Sequence, residues 1–267
     1  MASRTKQKEM ARARRIEQER ARAHAQARTR NLWILGGVVL LAVVIVAVFI
    51  AISSGGSSSA PGLQTGSALN NAKASVSQLL SGIPQSGNVL GKPDAPVTMT
   101  YYGDLECPVC RDFTLGIDGG GWPQLVANEV RAGKVKIVYR AFQTATQQAT
   151  TFDNQQVAAL AAGRQNRLWD YVELFYHQQG QEDSGYVTEN YLTTLAKQVP
   201  GLDFSKWQSA RNDPSLLAQV QADGQSGTAA GVSATPAMIF QGPKGKASPS
   251  AGVLTYSQLQ QAIQQVS

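Results

Sequence analysis

Residues 88–110 read NVLGKPDAPVTMTYYGDLECPVC, and this stretch decides the fold. Its middle, VTMTYY at 97–102, is rich in β-branched and aromatic side chains and predicts a buried strand that gives way to a helix at the cysteines. Further along, PQLVANEVR at 123–131 has Pro at its start and Gly133 just past its end, the asymmetry of a helix, and KVKIVYRAF at 134–142 predicts a second strand. Strand, helix, strand favours a parallel pair with a right-handed crossover.

A helical block follows. Asp153 is placed to cap a helix through Ala162, and a nearly all-round apolar helix runs from Leu168 to Tyr176. Residues 191–199 predict another, Asp203 caps one through Arg211, and Asp213-Pro214 opens the last. Trp169, Trp207 and the tyrosines here read as core, and His177 as a helix-end residue. After Gly231 strands return at 237–241 (AMIFQ) and about 251–254, and Ser257 caps a final helix to Val266. With no second complete core visible, the reading is one α/β domain over 88–267 with a helical insertion over about 151–230.

Outward on the N-terminal side the chain changes character. The formal charge of +6 over 267 residues divides at residue 31: the first 31 residues hold 10 Lys+Arg against 3 Asp+Glu, and the rest 14 against 15. The basicity is therefore confined to a tail, and a nucleic-acid-binding domain argued from the whole-chain charge is disfavoured. Residues 32–52 (LWILGGVVLLAVVIVAVFIAI) carry no charge and are long enough to cross a bilayer, which predicts a transmembrane helix. A cleaved signal peptide is the competing reading, disfavoured by the length of the apolar run and of the tail. Cationic residues before the span and none in 52–71 put the tail in the cytoplasm and the domain outside the cell membrane. The tail itself is read as a topology signal, with lipid, RNA or a cytoplasmic partner as its other possible uses. Residues 53–87 form a flexible Ser/Gly-rich tether and a short helix at 70–83.

Only two cysteines are present, Cys107 and Cys110, separated by Pro108 and Val109. On a first helical turn, residues three apart share a face, so two sulfurs approach bonding distance in a small, reducible loop. Cys107 falls at the helix N-terminus, where free N–H groups favour thiolate, and Cys110 lies one turn in. A zinc site lacks ligands, since His177 is the only histidine outside the tail. A structural disulfide would close too short a loop to stabilise much, and inert core cysteines fit an oxidising compartment poorly. A redox-active pair, with no metal or further cofactor, is the preferred reading.

Taken together, the 88–110 motif, VKIVYRAF, the Leu-Trp-Asp and Leu-Phe helix of the insertion and GVSATPAMIF resemble the DsbA-like branch of the thioredoxin superfamily, bacterial extracytoplasmic thiol:disulfide oxidoreductases. The resemblance spans about residues 88–263. It implies a thioredoxin fold with a helical insertion, Cys107 as nucleophile, Cys110 as resolving thiol, and a cis Thr235-Pro236 bond beside them. Thr235 would then offer backbone groups to an extended substrate. It also implies reduced exported proteins as substrates and a quinone-coupled membrane re-oxidant of the DsbB or VKOR type. Disulfide donation is the leading function, with isomerase or reductase, or a non-catalytic thioredoxin-fold binding module, as alternatives. Two departures stand out. DsbA itself has His where Val109 stands, and Glu106 is expected to raise the Cys107 pKa, opposed by Arg111 if it turns back. The Gly-rich stretch at 116–121 interrupts a usually continuous helix, and no buried carboxylate assisting Cys110 is evident in the sequence.

Overall fold

The computed structural model describes residues 63–267. The basic tail, the expected span at 32–52 and most of the tether lie outside them. Among the described residues no helix is long and apolar enough to cross a membrane.

The two expected core strands pair in parallel: β3 (Val97–Gly103) lies against β4 (Val135–Ala141) from Val97↔Val135 to Gly103↔Ala141. On its other side β3 takes β5 (Ala237–Gly242) antiparallel, with Tyr102 opposite Ala237. Short strands complete the sheet. β1 (Gln85–Ser86) and β2 (Val89–Leu90) extend it beyond β4, and β6 (Gly245–Lys246) and β7 (Ser250–Ala251) flank β5. The β4 alternation of buried and half-buried residues follows the two-residue period of a strand.

Helices cover the sheet. α1 (Gly66–Leu80) precedes it, and α2 (Pro108–Leu115) and α3 (Trp122–Leu125) form the β3–β4 crossover. Between β4 and β5 run α4 (Ala149–Gly163), α5 (Leu168–His177), α6 (Glu189–Gln198), α7 (Phe204–Ala210) and α8 (Pro214–Ala229). The chain closes with α9 (Tyr256–Val266). This insertion shares one hydrophobic core with the sheet, centred on buried Tyr101, Phe113, Trp122, Tyr139 and Trp169. Trp122 and Trp169 lie 5.1 Å apart by ring centroids, and Tyr139 meets Trp169 edge-on at 5.7 Å. Each such pair adds ~0.5–1.5 kcal/mol beyond the area it buries.

Several boundaries differ from the sequence reading. The first helix begins at Gly66 and ends at Leu80, with Gly82 in the left-handed region at φ 74°. Asp153 lies inside α4, which starts at Ala149 and so carries Phe152 into the core. The last helix is capped by Thr255, not Ser257, because Thr255 and Gln258 cap each other reciprocally. The second late strand shrinks to Ser250–Ala251. The crossover helix has only four α-helical residues before a wider turn at Val126–Val130, where Arg131 N–H reaches back five residues to the Val126 carbonyl at 3.0 Å.

The Gly-rich break is built by close approach. Gly116 ends α2 at φ 72°, and a Cβ on Gly121 would sit 2.3 Å from the backbone nitrogen of Tyr256. The interruption of the helix thus lets α3 begin directly against the start of α9.

Candidate active site

Cys107 is the N-cap of α2, with Pro108 at the first helical position, where its missing N–H costs nothing. The Cys110 N–H donates to Cys107 Sγ at 3.3 Å, and the Cys107 thiol donates to the Thr235 carbonyl at 3.4 Å. Both thiols are free and buried, Cys110 completely. The Thr235-Pro236 bond is cis. The fold therefore brings Cys107, Cys110, Thr235 and Pro236 together, although 128 residues separate Cys107 from Thr235. Val109, at the second helical position, is 39% exposed and faces outward.

The two sulfurs are electrostatically unlike. Hydrogen bonding from the Cys110 thiol is the main cause that lowers Cys107 to about 7, helped by the Thr235 side chain and the Cys110 N–H and opposed by burial and the Asp104 charge. Burial, then the hydrogen bond to Cys107, pushes Cys110 well above the ordinary thiol value. The low-pKa group is thus the one at the surface end of the pair, and the high-pKa group is the shielded one.

Behind Cys110 stand three buried tyrosines. Tyr101 and Tyr176 hydroxyls are 3.4 Å apart, Tyr176 donates to the Asp104 carbonyl at 3.3 Å, and Tyr139 donates to Gln156 Oε1 at 2.8 Å. Burial holds all three above the ordinary phenol value, with the Cys110 charge adding, so this wall is neutral. Buried carboxylates lie instead before Cys107, at Asp104 and Glu106. Burial pushes Glu106 up to about 7, while the acid that opposes the Cys107 thiolate is Asp104 rather than Glu106. Arg111 does not turn back to the cysteines; its guanidinium pairs with Asp112 at 2.8 Å.

The sequence reading missed three contributors. Gln179, just past α5, donates to the carbonyls of Leu105 at 2.7 Å and Cys107 at 3.1 Å and so holds the cysteine turn. Thr144 joins its hydroxyl to that of Thr235. Asp104 gathers the backbone of the loop after β4. Only Asp104 left a signal, an acid at the end of an apolar strand within the cysteine motif. Beside Cys107 opens a groove of about 550 Å³ lined by Pro108, Arg111, Gln147, Glu182 and Asp183. His177 closes α5, its pKa lowered by burial, and among the described residues no group of three His, Cys, Asp or Glu side chains is placed to hold a metal.

A family model described as thioredoxin matches residues 85–265. The chain belongs to the thioredoxin family. Within that family it is similar to disulfide bond formation protein D of Bacillus subtilis, 26% identical over 174 residues, which are 62% of this chain and 74% of that protein. It is also 32% identical over 167 residues, 60% of this chain, to Na(+)/H(+) antiporter NhaA 1 of Mycolicibacterium gilvum, of whose length it spans only 24%. Among solved structures, oxidised BdbD of Bacillus subtilis superposes with a TM-score of 0.56 at 22% identity, over 69% of this chain and 96% of that one. α-DsbA1 of Wolbachia pipientis does so with 0.55 at 16%, over 70% and 92%. At these identities the likeness establishes the fold: a thioredoxin domain of DsbA-like architecture.

Proposed function

We propose that this thioredoxin-family thiol:disulfide oxidoreductase works through the Cys107-Pro108-Val109-Cys110 pair as a disulfide donor to exported proteins. The observation that carries this reading is the asymmetry of the pair: Cys107 lowered to about 7 at a helix N-terminus, Cys110 buried and raised behind it. A substrate thiolate attacks Cys107 Sγ and breaks the Cys107–Cys110 bond, and Cys110 leaves and takes up a proton. A second substrate thiolate then attacks the substrate sulfur of the mixed disulfide, and Cys107 departs as thiolate. Two electrons pass from substrate to enzyme. A thiolate stable near neutral pH is a good leaving group, which favours donation.

Around that centre, Thr235 presents its backbone to an extended substrate strand, as the resemblance implies. The pair itself is the redox group, and no other cofactor or metal is proposed. The uncharged run at 32–52 supports a single-pass anchor in the cell membrane, with the tail cytoplasmic and the domain extracytoplasmic. A donor so placed needs a re-oxidant, for which a quinone-coupled membrane protein of DsbB or VKOR type is the candidate. The name of the Bacillus subtilis relative, a disulfide bond formation protein, supports the same direction of exchange.

Two observations favour a reductase or isomerase instead: Val109 supplies no hydrogen bond to the thiolate, and two buried acids precede Cys107. Trapping decides between donor, reductase and binding module. In cells expressing Cys110→Ala, donation predicts exported proteins held on Cys107 as mixed disulfides, and acid-quenched alkylation of the wild-type chain predicts a mostly oxidised pair. A mostly reduced pair favours the reductase, and no mixed disulfides at all favours a non-catalytic module.

A further inference from the structure

Asp104 is fully buried three residues before Cys107, and among the described residues it is not one of the carboxylates paired with Lys or Arg. Its charge is met by hydrogen bonds alone. Oδ2 accepts from the N–H groups of Thr144 at 3.0 Å, Ala145 at 2.9 Å and Thr146 at 3.0 Å. Oδ1 accepts from the Thr146 hydroxyl at 2.5 Å and the Glu106 N–H at 3.2 Å, and the Asp104 carbonyl accepts the Cys107 N–H at 3.1 Å. Thr144, held in this way, joins its hydroxyl to that of Thr235, whose carbonyl receives the Cys107 thiol. A closed circuit of hydrogen bonds thus runs from Asp104 through Thr144 and Thr235 to Cys107 and back along the chain.

An ion is not needed to close that circuit. An uncharged amide in the same place would accept the loop N–H groups, whereas an ionised carboxylate out of water costs several kcal/mol before its hydrogen bonds are made. The charge acts where it sits. The other ionisable groups around the cysteine turn are Glu106, buried beside it, and Glu182, Asp183 and Arg111 in the adjoining groove, with Arg111 turned to Asp112. No cation therefore offsets Asp104 on the Cys107 side.

We propose that Asp104 is a positioning residue for the exchange reaction: it fastens the 144–146 loop to the Cys107 turn, and its buried charge keeps the cysteine pair less oxidising than a neutral side chain there would. The inference rests on Cys107 and Cys110 being the reacting pair. Reduction breaks their S–S bond, takes two electrons from two donor thiols and leaves Cys107 partly as thiolate. A fixed negative charge beside that thiolate disfavours the reduced form, which makes the pair a weaker oxidant.

The test is the equilibrium of the full chain with reduced and oxidised glutathione, read by alkylation of both cysteines. In Asp104→Asn the amide oxygen takes the three loop N–H groups. Its Nδ2 faces the Thr146 hydroxyl, which turns to accept it with the lone pair that Gln155 Nε2 does not use. The Glu106 N–H loses the acceptor it has in Oδ1, but the bonds to the 144–146 loop that close the circuit survive and the charge is gone. The expected shift is about tenfold toward reduced enzyme, or ~30 mV more oxidising for a two-electron couple, with a lower pH midpoint for Cys107 alkylation. Thr146→Val removes a donor to the carboxylate and leaves its charge less compensated, so the shift should be opposite in sign. A merely structural role would move both variants the same way. That result, or an unchanged equilibrium in Asp104→Asn, overturns the proposal. Should Asp104→Asn fail to fold, Thr146→Val decides alone: a less oxidising pair supports the proposal, an equal or more oxidising one refutes it. A wild-type chain without any two-thiol equilibrium with glutathione would instead defeat the oxidoreductase reading on which the inference rests.

Discussion

Replacing Val109 by His tests how the thiolate is held. Cys107 Sγ has three supports, the Cys110 thiol, the Cys110 N–H and Thr235, and none of them carries a charge. Position 109 is the second residue of α2 and 39% exposed, so an imidazole fits there without displacing the core. An imidazolium ~4–5 Å from a thiolate is worth ~1–4 kcal/mol for an effective dielectric between ~80 and ~20. Exposure puts this site at the lower end, ~1–2 kcal/mol. At ~1.4 kcal/mol per 30 mV, Val109→His should make the pair ~20–40 mV more oxidising. The Cys107 pKa should fall from about 7 by ~1 unit. Glutathione equilibration reads the first, and the pH profile of iodoacetamide alkylation reads the second. An unchanged or less oxidising potential would refute the reasoning, because it would mean that charge at the helix N-terminus does not govern the stability of this thiolate.

Four further outcomes are expected. In the reduced wild-type chain Cys107 should alkylate with a midpoint near pH 7 and Cys110 should stay unreactive through pH 9. Because the Cys107 pKa is depressed on folding from 9.0, the reduced fold should gain stability as pH rises from about 7 to 9 and lose it as pH falls back, measurable by urea unfolding. Glu173→Gln keeps the 2.6 Å bond from Trp122 Nε1 to Oε1 but removes a carboxyl that burial pushes up to about 8. The wild-type fold holds that proton while the unfolded chain loses it above 4.5, so the variant's advantage should grow from pH 4.5 to 8 and reach a few kcal/mol. Equal melting shifts at both ends of that range would contradict it. Gly121→Ala puts a Cβ 2.3 Å from Tyr256 nitrogen and 2.6 Å from Thr255 carbonyl carbon, both backbone atoms. It should cost ~3 kcal/mol in urea unfolding, against ~1 kcal/mol for Gly119→Ala, which has open space but a left-handed φ.

What the sequence made legible follows from range. The strands at 97–102 and 134–142 announce themselves through side chains that alternate within a few residues, and the cysteine spacing through one turn of helix. Asp213-Pro214 likewise caps α8 as local chemistry dictates. The errors arise where local signals compete. Ser257 and Thr255 are both acceptable caps, and only the reciprocal bond to Gln258 selects Thr255. Asp153 has the right chemistry for a cap, but Phe152 can reach the core only if the helix has already begun. Contributions that close through space were not legible: Thr144 meets Thr235 across 91 residues, and Gln179 reaches Cys107 across 72.

Those long contacts bear on what the insertion is for. Gln179 lies two residues past α5 and holds two carbonyls of the cysteine turn, while Tyr176 within α5 donates to Asp104. Trp169, the second residue of the same helix, packs against Tyr101 and Trp122 under the site. A thioredoxin sheet without these helices would leave the carbonyls of Leu105 and Cys107 to water and the floor beneath Cys110 open. Water at that floor would solvate a Cys110 thiolate, lower its pKa and erase the asymmetry between the two sulfurs on which directed exchange depends. On the proposed function the insertion is therefore part of the active site, and the end of α5 contributes to the difference between the two cysteines by helping to bury Cys110.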